Sequence, residues 1–285
     1  MTIVRVLTAV VGALLTSANS QAAPTYDTVS FNSGGKVLHG LVYKPPATGP
    51  FPAVLYNHGS APGMINNGAF ELLGPVFVAH GWAFFAPYRR GQGLSSDAGA
   101  YIGDEIAAAR ARGGQVAAAG TMVRLLSTDH LQDQIAALSW LKSQSFVRPR
   151  QIAVMGNSFG GIEAVLGAEH GDYCAAVDAS GGAESWDMAP GLRALMVHAA
   201  QHSKAPILFF QAENDYSVTP SRTLYAAMRT ANKLAEIRLY PRYGNSAEEG
   251  HSFAWRGANV WSEDVLRFLD ENCRDEPKRS AHRRM

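Results

Sequence analysis

The chain has 285 residues, 47% hydrophobic and 17% charged, with a formal net charge of +1. That composition suits one large globular domain or two small ones; it is too apolar for a disordered chain and too nearly neutral for a dedicated nucleic-acid binder. The 28 glycines and 14 prolines follow no fixed period, which excludes collagen-like repeats, and two cysteines are too few for a disulfide scaffold or a Cys-rich zinc site.

In chain order, Arg5 precedes an apolar run over 6–15 and a small, polar stretch over 16–23. This is the pattern of a secretory leader, and the small residues Ser20 and Ala22 place cleavage after Ala22. The run is short for a bilayer span. The expectation is an exported protein, periplasmic or secreted, with no stable membrane insertion after cleavage.

Residues 26–31 and 36–43, joined through Asn32-Ser33-Gly34-Gly35, read as an antiparallel hairpin. Buried strands are expected over 51–57 and 82–88, with a helix over 67–81 between them. The Ala-, Gly- and Arg-rich segment 97–120 is longer than an ordinary connection. It reads either as a lid-like insertion or pocket wall, or as an extra surface helix over 104–112. One helix is expected over 121–144, from the spacing of Met122, Leu125, Leu126, Ile135, Leu138 and Leu141. Strands follow over 151–155, 174–177, 206–210 and 237–240, and helices over 162–170, 221–231 and 261–272. Short apolar strands alternating with amphipathic helices define an α/β fold with a mostly parallel sheet covered on both faces. The end, 274–285, carries five basic residues against two acidic ones and reads as a solvated tail. The organisation is therefore a leader over 1–22, one domain over 23–273 and a basic tail.

Gly156-Asn157-Ser158-Phe159-Gly160 matches G-x-S-x-G and lies between the strand over 151–155 and the helix that follows. A serine on such a strand-to-helix turn is presented above the sheet edge, and its neighbours must be small because the turn is tight. Ser158 is the candidate nucleophile. Gly244-Asn245-Ser246 repeats three letters of the motif without the second glycine or the strand. An elbow of this kind goes with the chain order serine, acid, histidine. His251 lies in Glu249-Gly250-His251-Ser252-Phe253, read as a loop between the last strand and the last helix, where a base can reach the serine. Asp215 follows the strand over 206–210 and is the candidate acid, with Glu213, Asp178 and Asp187 as alternatives. The acid would hold the neutral imidazole in one tautomer and stabilise its cation. The backbone N–H groups of Ser60, after the strand over 51–57, and of Phe159 are the candidate oxyanion hole. His198 and His202 stand four apart, as a metal pair would, but lack the Glu of a metalloprotease motif and read as helix-surface residues. No metal site is assigned.

Together, His58-Gly59-Ser60, Arg90-Gly91-Gln92-Gly93-Leu94-Ser95, Gly156-Asn157-Ser158-Phe159-Gly160-Gly161, Asp215 and His251 resemble the α/β-hydrolase superfamily. Within it, the resemblance is to the dienelactone-hydrolase-like and prolyl-oligopeptidase-like branches, over roughly residues 26–273. It implies an eight-stranded, mostly parallel sheet, no cofactor, and a structural role for Arg90. Dienelactone hydrolases proper use a cysteine nucleophile where this chain has Ser158, so the kinship is one of fold. The propeller domain of the other branch has no counterpart here. The expected function is serine-dependent hydrolysis of a small-molecule carboxylic ester through an acyl-enzyme. The alternatives are a peptidase or amidase on the same triad and a non-catalytic binding protein. Whether Cys174 and Cys273 pair is left open by the sequence.

Overall fold

The computed structural model describes residues 25–273. The leader expected over 1–22 and the tail expected over 274–285 lie outside the described residues. Strands β1 (Tyr26–Ser33) and β2 (Lys36–Tyr43) form the hairpin, with Ser33 opposite Lys36. Its loop is therefore Gly34-Gly35, with φ of +53° and +76°. A tight hairpin turn that follows the strand twist needs such positive angles, and glycine adopts them without a Cβ clash.

Strands β3 (Phe51–Asn57), β4 (Ala83–Pro87), β5 (Val147–Asn157), β6 (Ala176–Ala179), β7 (Ile207–Ala212) and β8 (Ala235–Tyr240) complete one eight-stranded sheet. The strand order is β1-β2-β4-β3-β5-β6-β7-β8. β1 with β2 and β2 with β4 run antiparallel, and the remaining neighbours run parallel. β3 and the later part of β5, from Ile152, lie at the centre, covered on both faces, which is why their sequences are apolar in runs rather than alternating. Side chains alternate between two cores. Ala53 and Leu55 enter the one packed by α2 (Ile102–Ser127), α3 (Asp129–Lys142), α4 (Phe159–His170), α5 (Pro190–His202) and α6 (Thr219–Thr230). Val54 and Tyr56 enter the other, packed by α1 (Asn67–Ala79), α7 (Ala247–Arg256) and α8 (Ala258–Cys273).

The single helix expected over 121–144 is two. The chain breaks at Thr128, with φ −122° and ψ −94°, between α2 and α3. The Ser127 and Thr128 hydroxyls bond back to the Val123 and Arg124 carbonyls. Such bonds compete with helix continuation, and Asp129 then opens the next helix at its favourable end. The long segment before it is mostly helix. A short 3-10 turn over 93–98 leads into α2, which is interrupted at Gly113-Gly114. Among the described residues, no helix is long and apolar enough to cross a membrane.

Cys174, just before β6, is bonded to Cys273 at the end of α8, with Cα atoms 5.0 Å apart. The bond closes a loop of sequence separation 99. A loop of that length loses substantial freedom in the unfolded chain, and removing such a bond costs about 2–4 kcal/mol. The Cys174→Ser/Cys273→Ser variant is expected to melt roughly 4–16 °C below wild type. Thermal unfolding followed by circular dichroism checks this, and equal midpoints would remove the bond from the stability account.

Candidate active site

β5 runs into α4 through Ser158, which has φ 56° and ψ −118°. A positive φ is uncommon for a residue with a side chain and marks a strained turn. A Cβ on Gly156 would stand 2.0 Å from the Gly160 carbonyl oxygen, and one on Gly160 would stand 2.0 Å from that of Asn57. Both glycines of the motif are thus required by how closely the elbow packs against itself and β3. Their absence from Gly244-Asn245-Ser246 matters accordingly, since Ser246 serves instead as the N-cap of α7.

Asp215 follows β7. Its buried carboxylate takes the His251 Nδ1–H at 2.8 Å and the Tyr216 N–H at 2.7 Å on Oδ1, and the Gln211 Nε2–H at 3.0 Å on Oδ2. Neither alternative acid at the surface, Glu213 or Asp187, is paired with His251. Asp178 is buried, accepts the Gly181 N–H at 2.7 Å, and burial pushes its pKa up to about 7. Asn214 ties the loop that carries Asp215 to the segment that leads to His251. It donates to the Tyr243 and Ser246 carbonyls and accepts the Tyr243 N–H, joining the loop after β7 to the start of α7.

His251 sits in a helix, not in the loop expected from the sequence. Ser246 and Glu249 form a reciprocal capping box that starts α7, and His251 is in its first turns. Ser-x-x-Glu was a readable start signal, masked by Gly250. That glycine lets the helix lie against the acid loop, because a Cβ there would be 2.6 Å from the Asn214 carbonyl oxygen. With Nδ1 donating to Asp215, Nε2 carries the lone pair, and this buried atom has no partner among the described residues. Burial lowers the His251 pKa. The hydrogen bond and charge of Asp215 and the charge of Glu184 outweigh it and hold the imidazole above its ordinary value.

The turn after β3 is held by side chains, of which Arg89 and Tyr101 stand outside every motif visible in the sequence. Arg89 donates to the His58 carbonyl at 2.8 Å while its fork grips Glu163 at 2.7 and 2.5 Å. Tyr101 donates to the Ser60 carbonyl, and Gln92 to that of Ala61, each at 2.6 Å. His58 Nδ1–H donates to the Gly59 carbonyl at 2.7 Å, and His58 Nε2 accepts the Arg89 N–H at 3.1 Å. Both ring nitrogens are thus committed as in a neutral imidazole, and burial together with the Arg89 charge pushes the pKa down to about 3. His58 is a structural member of the turn. With the carbonyls of residues 58–61 engaged by the scaffold, the Ser60 and Phe159 N–H groups have no acceptor among the described residues. The signal was Glu163, the one carboxylate in the apolar run over 159–168, which requires a buried cationic partner. Arg90 grips Asp133 at 2.8 and 2.6 Å, the structural role expected of it.

Two clefts meet at Ser158, sharing Ser60 and Glu184. One, of about 590 Å³, is walled by Ile102, Ile106 and Met122 of α2 and by Phe159 and Ile162 of α4. The long segment after β4 therefore builds a pocket wall. The other, of about 640 Å³, holds His251, Asn66, Ile65 and Trp255. Phe159 and Trp255 line these clefts, whereas Trp186 is buried in the core.

The strand order, the elbow at the end of β5 and the places of Asp215 after β7 and His251 after β8 define an α/β-hydrolase fold. The sequence matches the dienelactone hydrolase family over residues 38–272, and the chain belongs to that family. Among solved structures, a chain from Klebsiella pneumoniae subsp. pneumoniae MGH 78578, provisionally named a dienelactone hydrolase, is similar at 20% identity and a TM-score of 0.65. The match covers 88% of this chain and 100% of that one. An acylaminoacyl peptidase from Pyrococcus horikoshii is similar at 16% identity and TM-score 0.65, over 90% of this chain and 43% of the peptidase. The esterase Pf2001 from Pyrococcus furiosus matches at 16% identity and TM-score 0.63, over 88% and 94% of the two chains. At these identities the likeness is one of fold. A search of curated proteins returns no match. The chain is a serine hydrolase of this fold.

Proposed function

We propose that the protein is an exported carboxylic-ester hydrolase acting through Ser158, His251 and Asp215. The observation that carries this reading is His251, bonded to a buried carboxylate through Nδ1 and bare at Nε2, lining the same cleft as Ser158. In this reading His251 Nε2 takes the Ser158 proton as Oγ attacks the ester carbonyl. The Ser60 and Phe159 N–H groups stabilise the oxyanion. The Nε2–H then protonates the leaving alkoxide, and a water repeats the sequence on the acyl-enzyme. Because His251 lines the second cleft, the alcohol leaves through it, and the acyl group lies in the apolar cleft walled by α2. Export is supported by the leader pattern of the first 22 residues and by the Cys174–Cys273 bond, which suits an oxidising compartment.

Glu184 is the acidic side chain among the described residues that line these clefts. A carboxylate there favours neutral or cationic substrates and repels an anionic acyl group. A p-nitrophenyl ester with a terminal carboxylate is expected to show about fivefold or more lower kcat/KM than its neutral isostere, with Glu184→Gln narrowing the gap. Peptide p-nitroanilides are expected to be poorer still. Preference for the anionic ester would overturn the charge argument, and preference for the anilide would favour the peptidase reading.

The base must be neutral to accept a proton, so kcat/KM is expected to fall as pH drops through a His251 pKa lying above that of a free imidazole. Glu184 raises that pKa, so Glu184→Gln should move the acid limb to lower pH. A limb that stays fixed or moves upward in that variant would contradict the assignment.

A further inference from the structure

We propose that Glu169, His198 and His202 form a binding site for a divalent transition-metal cation, zinc by preference, between the C-terminal ends of α4 and α5. The sequence displays the histidine pair; the fold supplies the third donor. One atom from each side chain can be chosen so that all three lie within 4.8 Å of one another. His198 Nε2 is 3.2 Å from Glu169 Oε1. That is close to the spacing of two donors each bound about 2.1 Å from a tetrahedral centre. His202 Nδ1–H donates to the His198 carbonyl at 2.8 Å, which fixes the tautomer and leaves Nε2 bare. A ring oriented through its other nitrogen by a carbonyl is the usual condition of a ligating histidine. The second Glu169 oxygen lies 3.3 Å from His170 Nε2, which holds the carboxylate in place. The His198 and His202 rings stack with centroids 4.1 Å apart.

A separate observation points to a cation. His170 is the last residue of α4 and His202 the last of α5, so the negative ends of two helix dipoles converge here. Lys204 Nζ already approaches the His170 carbonyl at 3.5 Å. Two imidazole nitrogens and one carboxylate oxygen suit zinc, copper or nickel, and offer too few oxygens for calcium or magnesium. The His198 side chain is 60% exposed, which leaves room for water to complete the coordination. A bound ion would staple α4, which begins at the nucleophile, to its neighbour α5. A simple His198–Glu169 ion pair is the competing account.

The test is calorimetric titration of the full-length protein with zinc chloride at about pH 7.5, above the ordinary imidazole range, with thermal unfolding in parallel. The expected result is saturable binding in the micromolar range and a zinc-dependent rise in the unfolding midpoint. His198→Ala and His202→Ala should each weaken binding by about tenfold or more. The double variant should lose one zinc per chain and the thermal rise, while its metal-free midpoint and ester turnover stay near wild type. No saturable binding at sub-millimolar zinc would overturn the proposal. So would unchanged stoichiometry and affinity in the double variant, which would place the ion on other histidines.

Discussion

Replacing Ser158 with alanine is expected to lower kcat for a p-nitrophenyl ester by about 10⁴- to 10⁶-fold while leaving the thermal midpoint near that of wild type. Alanine keeps the Cβ, so the backbone strain at φ 56° is the same in both proteins. What disappears is the oxygen that attacks and the acyl-enzyme it forms. The residual rate comes from the oxyanion donors and the clefts. A fluorophosphonate probe should label wild type at residue 158 and leave the variant unlabelled. Turnover within about tenfold of wild type would remove Ser158 from the chemistry. A folded wild type that takes no label would bring the non-catalytic binding reading forward.

Arg89→Met should combine a stability loss with a catalytic one, and Glu163→Gln should separate them. The two side chains are each 4% exposed. Removing one member of a buried ion pair strands the other and costs about 3–5 kcal/mol. Arg89 also holds the His58 carbonyl, and with it the turn that carries the Ser60 N–H. Loss of one oxyanion donor costs about 10²- to 10³-fold in kcat. Arg89→Met is expected to approach that loss with KM little changed. Glu163→Gln keeps the guanidinium on the turn, so it should lower the melting point yet retain most of kcat. Steady-state kinetics well below both midpoints make the comparison. Equal kcat in the two variants would reduce Arg89 to a structural residue.

The proposed nucleophile, acid and base, which the structure brings to one site, were legible because each is tied to a local pattern. Ser158 lies in a glycine-bracketed elbow after an apolar run, and Asp215 and His251 come after β7 and β8, in the order serine, acid, histidine. The strands were legible for a related reason, since central parallel strands are apolar throughout. What the sequence hid depends on contacts between distant segments. Arg89 meets Glu163 across a sequence separation of 74. Nothing local distinguishes it from Arg90, which pairs instead with Asp133. Glu169 and His198 are close only because α4 and α5 end side by side. The helix around His251 was misread for the opposite reason: its start signal was local, but Gly250 resembled a loop residue until the close approach of Asn214 explained it.

The bond between Cys174 and Cys273 also bears on biosynthesis. The chain has two cysteines, so oxidation within one molecule has a single product, where four would allow three connectivities. Maturation needs an oxidant, and an isomerase has no mispaired form of the monomer to correct. Cys174 emerges from the ribosome well before Cys273, which closes the last described helix. The crosslink can therefore form only once the chain has been made through residue 273, and the loop it closes contains β6, β7 and β8.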